Sequence, residues 1–211
     1  SAATMGAMSV AAIFAAAACF AGTGGSTQLV TVSAPLHATA ATLSYWTRSG
    51  TCWRRVGGPW RARLGRTGLS VHKREGDGAT PVGTFALGGT AYGIAPDPGV
   101  RLRYHRLVCG DWWDEDPRSP SYNTFQHVAC GATPSFGGAS EALWRISPQY
   151  RYFVVVDYNA KPVVPGRGSA IFLHVAVGAT AGCVSLPERQ LVRLLRWLRP
   201  SAHPVIRIGI S

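Results

Sequence analysis

The sequence predicts a mainly β fold, and three observations carry that expectation. The chain holds 25 glycines and 14 prolines, more turn formers than a helical protein needs, which implies many short strands. Alternating or β-branched runs recur along its length, while a helical period is convincing at a single place near the end. With 211 residues there is chain for one good core and too little for two ordinary domains and a linker.

The elements follow in order. The opening SAATMGAMSVAAIFAAAACFAGTGG is apolar from Met8 to Ala21 and then small, which is the pattern of a secretory leader and too short for a membrane span. Residues 1–27 are therefore expected to be a signal-like leader, removed or disordered, and 28–211 the folded domain. The competing explanation is a tag scar followed by an Ala-rich tail. QLVTVSA (28–34) and ATLSYWTR (41–48) alternate as strands do, and SGT followed by CWRRVG suggests a hairpin. GLSVH (68–72) and PVGTFALG (81–88) are further strands, separated by the turn-rich KREGDGAT. From 89 to 148 periodicity fades among breakers such as APDPG and SFGGAS, so long covering loops are expected there. RYFVVVDYN (151–159) and SAIFLHVAV (169–177) restore the β pattern. SLPERQLVRLLRWLRP then reads as an amphipathic helix, with Ser185 and Glu188 in capping-box spacing and Leu191, Leu194, Leu195 and Leu198 on one face. Pro200 stops it, and VIRIGI closes the chain as a strand.

Charge narrows the partners. Lys and Arg outnumber Asp and Glu by 21 to 10, giving a net charge of +11 and a pI near 10.1, which favours an anionic partner. No groove-entering helix, zinc spacing or aromatic RNA-binding signature is present, so no nucleic acid is expected. Neither C-x-x-C nor H-E-x-x-H occurs, so no metal site is expected either. Of the cysteines, Cys109 and Cys130 flank one Pro-, Trp- and Asp-rich segment and are the natural disulfide pair in an exported chain. Cys52 reads as a small packed residue with a free thiol, Cys19 as a poor lipid-attachment site, and Cys183 as the other thiol.

FLHVAVGATAGCVSL, residues 172 to 186, concentrates the chemistry. His174 falls on a strand and Cys183 in the following turn, shortly before the helix. A thiol near an imidazolium or a helix N-terminus loses its proton more easily, and Gly182 lets a carbonyl approach the neighbouring amides. On the residues alone, a core histidine and an inert buried cysteine remain the competing pair.

TAGCVSL (180–186) after a strand ending in FLH, together with GDGATPVGTFALG (76–88) upstream, resembles the L,D-transpeptidase catalytic domain, the YkuD-like family. The resemblance spans roughly residues 28 to 211. It implies a β-sandwich of mixed sheets with one C-terminal amphipathic helix and long covering loops, exported to periplasm, cell wall or medium, monomeric and without a cofactor. It further implies peptidoglycan stem peptides as substrate, Cys183 as nucleophile, His174 as base, Thr180 and Gly182 as shapers of the turn, and the amides of Gly182 and Cys183 as the oxyanion hole. Thr180 is equally readable as a turn hydroxyl bonded to its own backbone. Carbapenems would mimic the donor. Two positions depart from the family pattern: Ala181 stands where many members have a second histidine, and Ser185 where they have arginine or asparagine. Hydrolysis of wall-peptide linkages at the same Cys/His site, or a non-catalytic wall-binding relative, are the alternatives to 3-3 cross-linking.

CGDWWDEDPRSPSYN gathers Asp111, Asp114, Glu115 and Asp116 between aromatics. It reads either as a lid that receives a cationic acceptor amine or as a solvated loop. Trp112, Tyr122 and Asn123 are the substrate-contact candidates there, with loop anchoring as the plainer role for the last two. His72 and His127 read as hydrogen-bonded loop or strand residues. The arginine face of the helix is most simply solvated, and would also hold an exported protein to anionic cell-wall polymers.

Overall fold

The computed structural model describes residues 17–211, so the first sixteen residues of the apolar leader lie outside the described residues. The rest of the leader packs onto the domain. β1 (Ala17–Ala18), β2 (Gln28–Ala34), β3 (Ala40–Ser49) and β4 (Cys52–Arg63) open the fold, and β1 pairs with β4 beside a Cys19–Cys52 disulfide. That bond corrects two expectations at once, the free Cys52 thiol and the lipid-attachment Cys19. The hairpin turn at Gly50–Thr51 brings Cys52 to the start of β4, where the antiparallel β1 returns past it.

Then follow β5 (Leu69–Ser70), β6 (Thr80–Pro81), β7 (Gly83–Gly93), β8 (Arg103–Arg106), β9 (Asp111–Asp114), β10 (Thr124–His127) and β11 (Glu141–Ala142). The chain closes with β12 (Phe153–Val156), β13 (Phe172–Val175), β14 (Val184–Leu186), α1 (Glu188–Trp197) and β15 (Val205–Ile210). The main sheet runs β1-β4-β14-β13-β12-β7-β15-β2-β3, with β8 beside β7. Because β3 also pairs with β4, the path returns on itself and the strands wrap one core. Most contacts are antiparallel; β13 with β14, β15 with β2 and β7 with β8 are parallel.

Strand alternation sorts β12 to β14 onto two faces. Val154, Val156, Leu173, Val175, Val184 and Leu186 join the large aliphatic core with Leu191, Leu194 and Leu195 of α1. Phe153, Phe172 and Cys183 face the other way, into a second cluster with Tyr150, Trp113 and Leu143. The helix forms where its leucine stripe predicts. Its N-cap is Pro187 with no side-chain cap bond, so the expected capping box is absent: Ser185 belongs to β14, where strand pairing fixes its backbone.

Over 89–148 the structure holds more order than long covering loops. β9 is the centre of a separate three-stranded sheet, β10-β9-β11, and Trp113 on it packs edge-on against Phe172, ring centroids 5.0 Å apart. The Cys109–Cys130 disulfide, Cα atoms 5.2 Å apart, ties together the approach to β9 and the exit from β10 as expected. No helix among the described residues is long and apolar enough to cross a membrane.

Candidate active site

A cavity of about 770 Å³ opens beside β13 and β14. His174 and Cys183 both line it, with Tyr150, Ala170, the 176–182 crossover, and Glu115 and Glu141 from the small sheet. The pairing explains the placement. In the parallel β13–β14 ladder Leu173 lies opposite Val184 and His174 opposite Ser185, so Phe172, His174, Cys183 and Ser185 share one face while their neighbours fill the aliphatic core.

Cys183 is the one free cysteine among the described residues. Its thiol donates to the Ala170 carbonyl at 3.2 Å and accepts from the Phe172 amide at 3.3 Å. Burial pushes the Cys183 thiol well above its ordinary range, and Glu141 and Glu115 push the same way against the Phe172 amide. The expected thiol acidified by an imidazolium and a helix end is therefore not what the resting site holds: β14 and Pro187 separate Cys183 from α1. His174 is neutral for the same reason, since burial brings it down to about 4 despite its bond to the Val175 carbonyl. That bond, 3.0 Å from Nδ1, settles the tautomer, because a carbonyl only accepts. Nδ1 carries the hydrogen and Nε2 keeps its lone pair. Among the described residues Cys183 Sγ has no hydrogen bond to His174; its two partners are the backbone groups above.

The turn before Cys183 is built by two threonines. Thr180 Oγ1 donates to the Cys183 carbonyl at 2.7 Å and accepts from the Gly182 amide at 3.1 Å, the turn role foreseen for it. It also removes the Gly182 amide from the expected oxyanion hole, leaving the Cys183 amide as the candidate donor. Thr80, in the upstream motif, reaches the same Cys183 carbonyl at 3.5 Å and takes the Gly65 amide at 2.8 Å, so the two sequence motifs meet in space. Gly182 has φ 151°, and a Cβ there would sit 3.0 Å from the Ala79 carbonyl oxygen. A side chain there would be strained by the backbone and crowded against Ala79.

The remaining candidates divide. Trp112 packs edge-on with Phe136 and Trp144 and lines a different cavity, because β9 alternates and turns Trp113 inward instead. Tyr122 is buried, hydrogen-bonded to Glu75 and accepting the Gly168 amide. Asn123 donates to the Tyr158 and Asn159 carbonyls and accepts from Trp113 Nε1 and the Ala170 amide. Both are anchors and neither lines the Cys183 cavity. Asn123 still matters to the thiol: it pins Ala170, whose φ is 51°, and Ala170 presents the carbonyl that the thiol meets. Of the four clustered acids only Glu115 reaches the cavity. Asp111 is fully buried between His105 and His127, Asp114 holds Ser121 and the Asp116 amide, and Asp116 holds Arg118. His127 thus has the carboxylate partner that spacing could not name. Glu141 and Tyr150, whose hydroxyl binds Glu141, were not foreseen at all. They sit on a two-residue strand and a short 3-10 turn, which leave no periodic signal.

Residues 30–206 match the YkuD family, the L,D-transpeptidase catalytic domain. No curated protein matches the chain. The matched span takes in the TPVGTF segment, whose Thr80 meets the Cys183 carbonyl, and His174 and the TAGC turn, which line the cavity, and the chain belongs to the L,D-transpeptidase catalytic domain family.

Proposed function

We propose that the protein is an exported L,D-transpeptidase that joins peptidoglycan stem peptides through a Cys183 thioester. The observation that carries this reading is one cavity lined by both Cys183 and a neutral His174, whose Nδ1 is fixed by Val175 and whose Nε2 is left as the free base. The thiol turns its hydrogen from the Ala170 carbonyl to His174 Nε2 as sulfur attacks the L,D peptide carbonyl of the donor stem. No stable ion pair precedes attack, because burial disfavours both the thiolate and the imidazolium. The oxyanion meets the Cys183 amide. The imidazolium then protonates the departing D-amino acid and a thioester remains. An acceptor amine loses its proton to His174, attacks the thioester and leaves a 3-3 cross-link, restoring the thiol. Two disulfides support an oxidising compartment.

Intact-protein mass spectrometry after incubation with a carbapenem tests the assignment. One adduct is expected on the native protein, none on Cys183→Ala, and much slower formation on His174→Ala. Native protein that stays unmodified, or carries the adduct elsewhere, defeats it.

A further inference from the structure

We propose that Glu115 and Glu141 form a subsite for the ammonium group of a stem-peptide diamino acid, on the wall of the cavity that holds Cys183. The subsite rests on the thioester reading above and supplies its substrate selectivity. β9 delivers Glu115 just past its last residue, and β11, paired to β9 with Glu141 opposite Trp113, delivers the second carboxylate beside it.

The two carboxyl groups are unlike the other acids of this segment. Asp111 and Asp116 each face a histidine or arginine and Asp114 accepts from the Ser121 hydroxyl and the Asp116 amide, whereas neither Glu115 nor Glu141 forms an ion pair among the described residues. Glu141 has only the Tyr150 hydroxyl. Glu115 Oε1 is sealed from water and has no hydrogen-bond partner among the described residues. In a chain of net charge +11, two half-buried carboxyl groups without a cation, on the wall of an open cavity, are an uncompensated cost. Burial accordingly raises both, Glu115 to about 9, with Glu141 and Glu75 adding to the effect.

An ammonium is the complement. It brings three donors and one positive charge, enough to pair with the second Glu115 oxygen, the one that is not sealed, and to share Glu141 with Tyr150. Its arrival would ionise the carboxyl groups and release protons to solvent. A neutral side chain of equal length would leave both groups unpaired. The donor stem and the acceptor stem each carry such an amine, and the same wall serves either.

Calorimetric titration of the Cys183→Ala protein with two synthetic tetrapeptide stems, one with lysine and one with norleucine at the third position, decides the matter without any chemistry occurring. The lysine stem should bind about tenfold more tightly, with proton release that varies with buffer ionisation heat. Adding Glu115→Gln and Glu141→Gln should bring the two affinities together. Equal affinities before those substitutions overturn the subsite, and that outcome does not depend on how the glutamine variants fold. Titrating the carbapenem-acylated native protein with lysine amide and norleucine amide assigns the source: a surviving preference places the acceptor amine there, and a lost one the donor side chain. If the native protein refuses the carbapenem while the lysine stem still binds preferentially, the acyl-transfer reading falls and the ammonium subsite stands.

Discussion

Strands β12 to β14 present the same backbone to two environments. On one face Leu173, Val175, Val184 and Leu186 meet the leucines of α1 in an aliphatic core. On the other Phe172, His174, Cys183 and Ser185 meet aromatics, carboxyl groups and a cavity. The first face makes the strands immobile, and the second uses that immobility. A pairing register fixed by apolar contacts on one side holds His174 and Cys183 in relation on the other, so the chemical groups are kept in place by packing they do not themselves make.

Substitutions on opposite faces should therefore fail in opposite ways. Cys183→Ala is the largest case. Turnover of a stem-peptide donor should fall by roughly a thousandfold or more, while thermal unfolding shifts far less, since the change removes one sulfur that makes two hydrogen bonds to backbone groups. A comparable loss of stability would mean that the chemical face also holds the fold. Leu173→Ala, fully buried on the aliphatic face, should cost about 3 kcal/mol in chemical denaturation, and folded molecules should still take up the carbapenem.

His174 sharpens the comparison through pH. Its folded value of about 4 lies below the ordinary 6.5, so the unfolded chain binds the proton first. Its contribution to stability is complete above pH 6.5 and is lost as pH falls toward 4, on the order of 3 kcal/mol in all. The difference between the melting profiles of the native protein and His174→Asn should close over that window and stay flat above it. The acid limb of carbapenem acylation should likewise lie near pH 4 instead of in the usual histidine range. A limb near neutrality would mean that the imidazole is solvated in the working enzyme.

Ser185→Ala is the smallest effect. Ser185 is fully buried, opposite His174, with a hydroxyl that has no partner among the described residues. Removing a buried unpaired hydroxyl is neutral or stabilising by about 1 kcal/mol. A large loss of acylation rate with unchanged melting would instead show that the hydroxyl is recruited when substrate binds.

How much of this was legible in the sequence follows from the same two faces. The β-branched and leucine residues of the aliphatic face produced the periodicities from which β2, β3, β13, α1 and β15 were read. His174 and Cys183 were found through motif resemblance, since a histidine and a cysteine inside an apolar run look like core. β9 to β11 were missed because four-residue and two-residue strands among prolines and glycines carry too little period. Cys19 was read as part of a leader, so its bond to Cys52 had no reason to be considered. Ser185 was read as a helix cap because its spacing to Glu188 fits one, and the three-residue strand that claims it is visible only through its pairing with β13. Glu141 had no local signal, and its place in the cavity comes from β11 lying beside β9.

The position of β15 has a consequence for the order in which the molecule can be completed. The last strand of the chain lies between β7 and β2, antiparallel to one and parallel to the other. Until those final residues are present, β2 and β7 have a gap between them and the strand path cannot close. A chain without β15 in place is therefore held open by its own connectivity, whatever the strength of its early hairpins. Pairing across so many intervening residues is slow to form. The sheet is completed only once Val205–Ile210 has taken its place between β7 and β2.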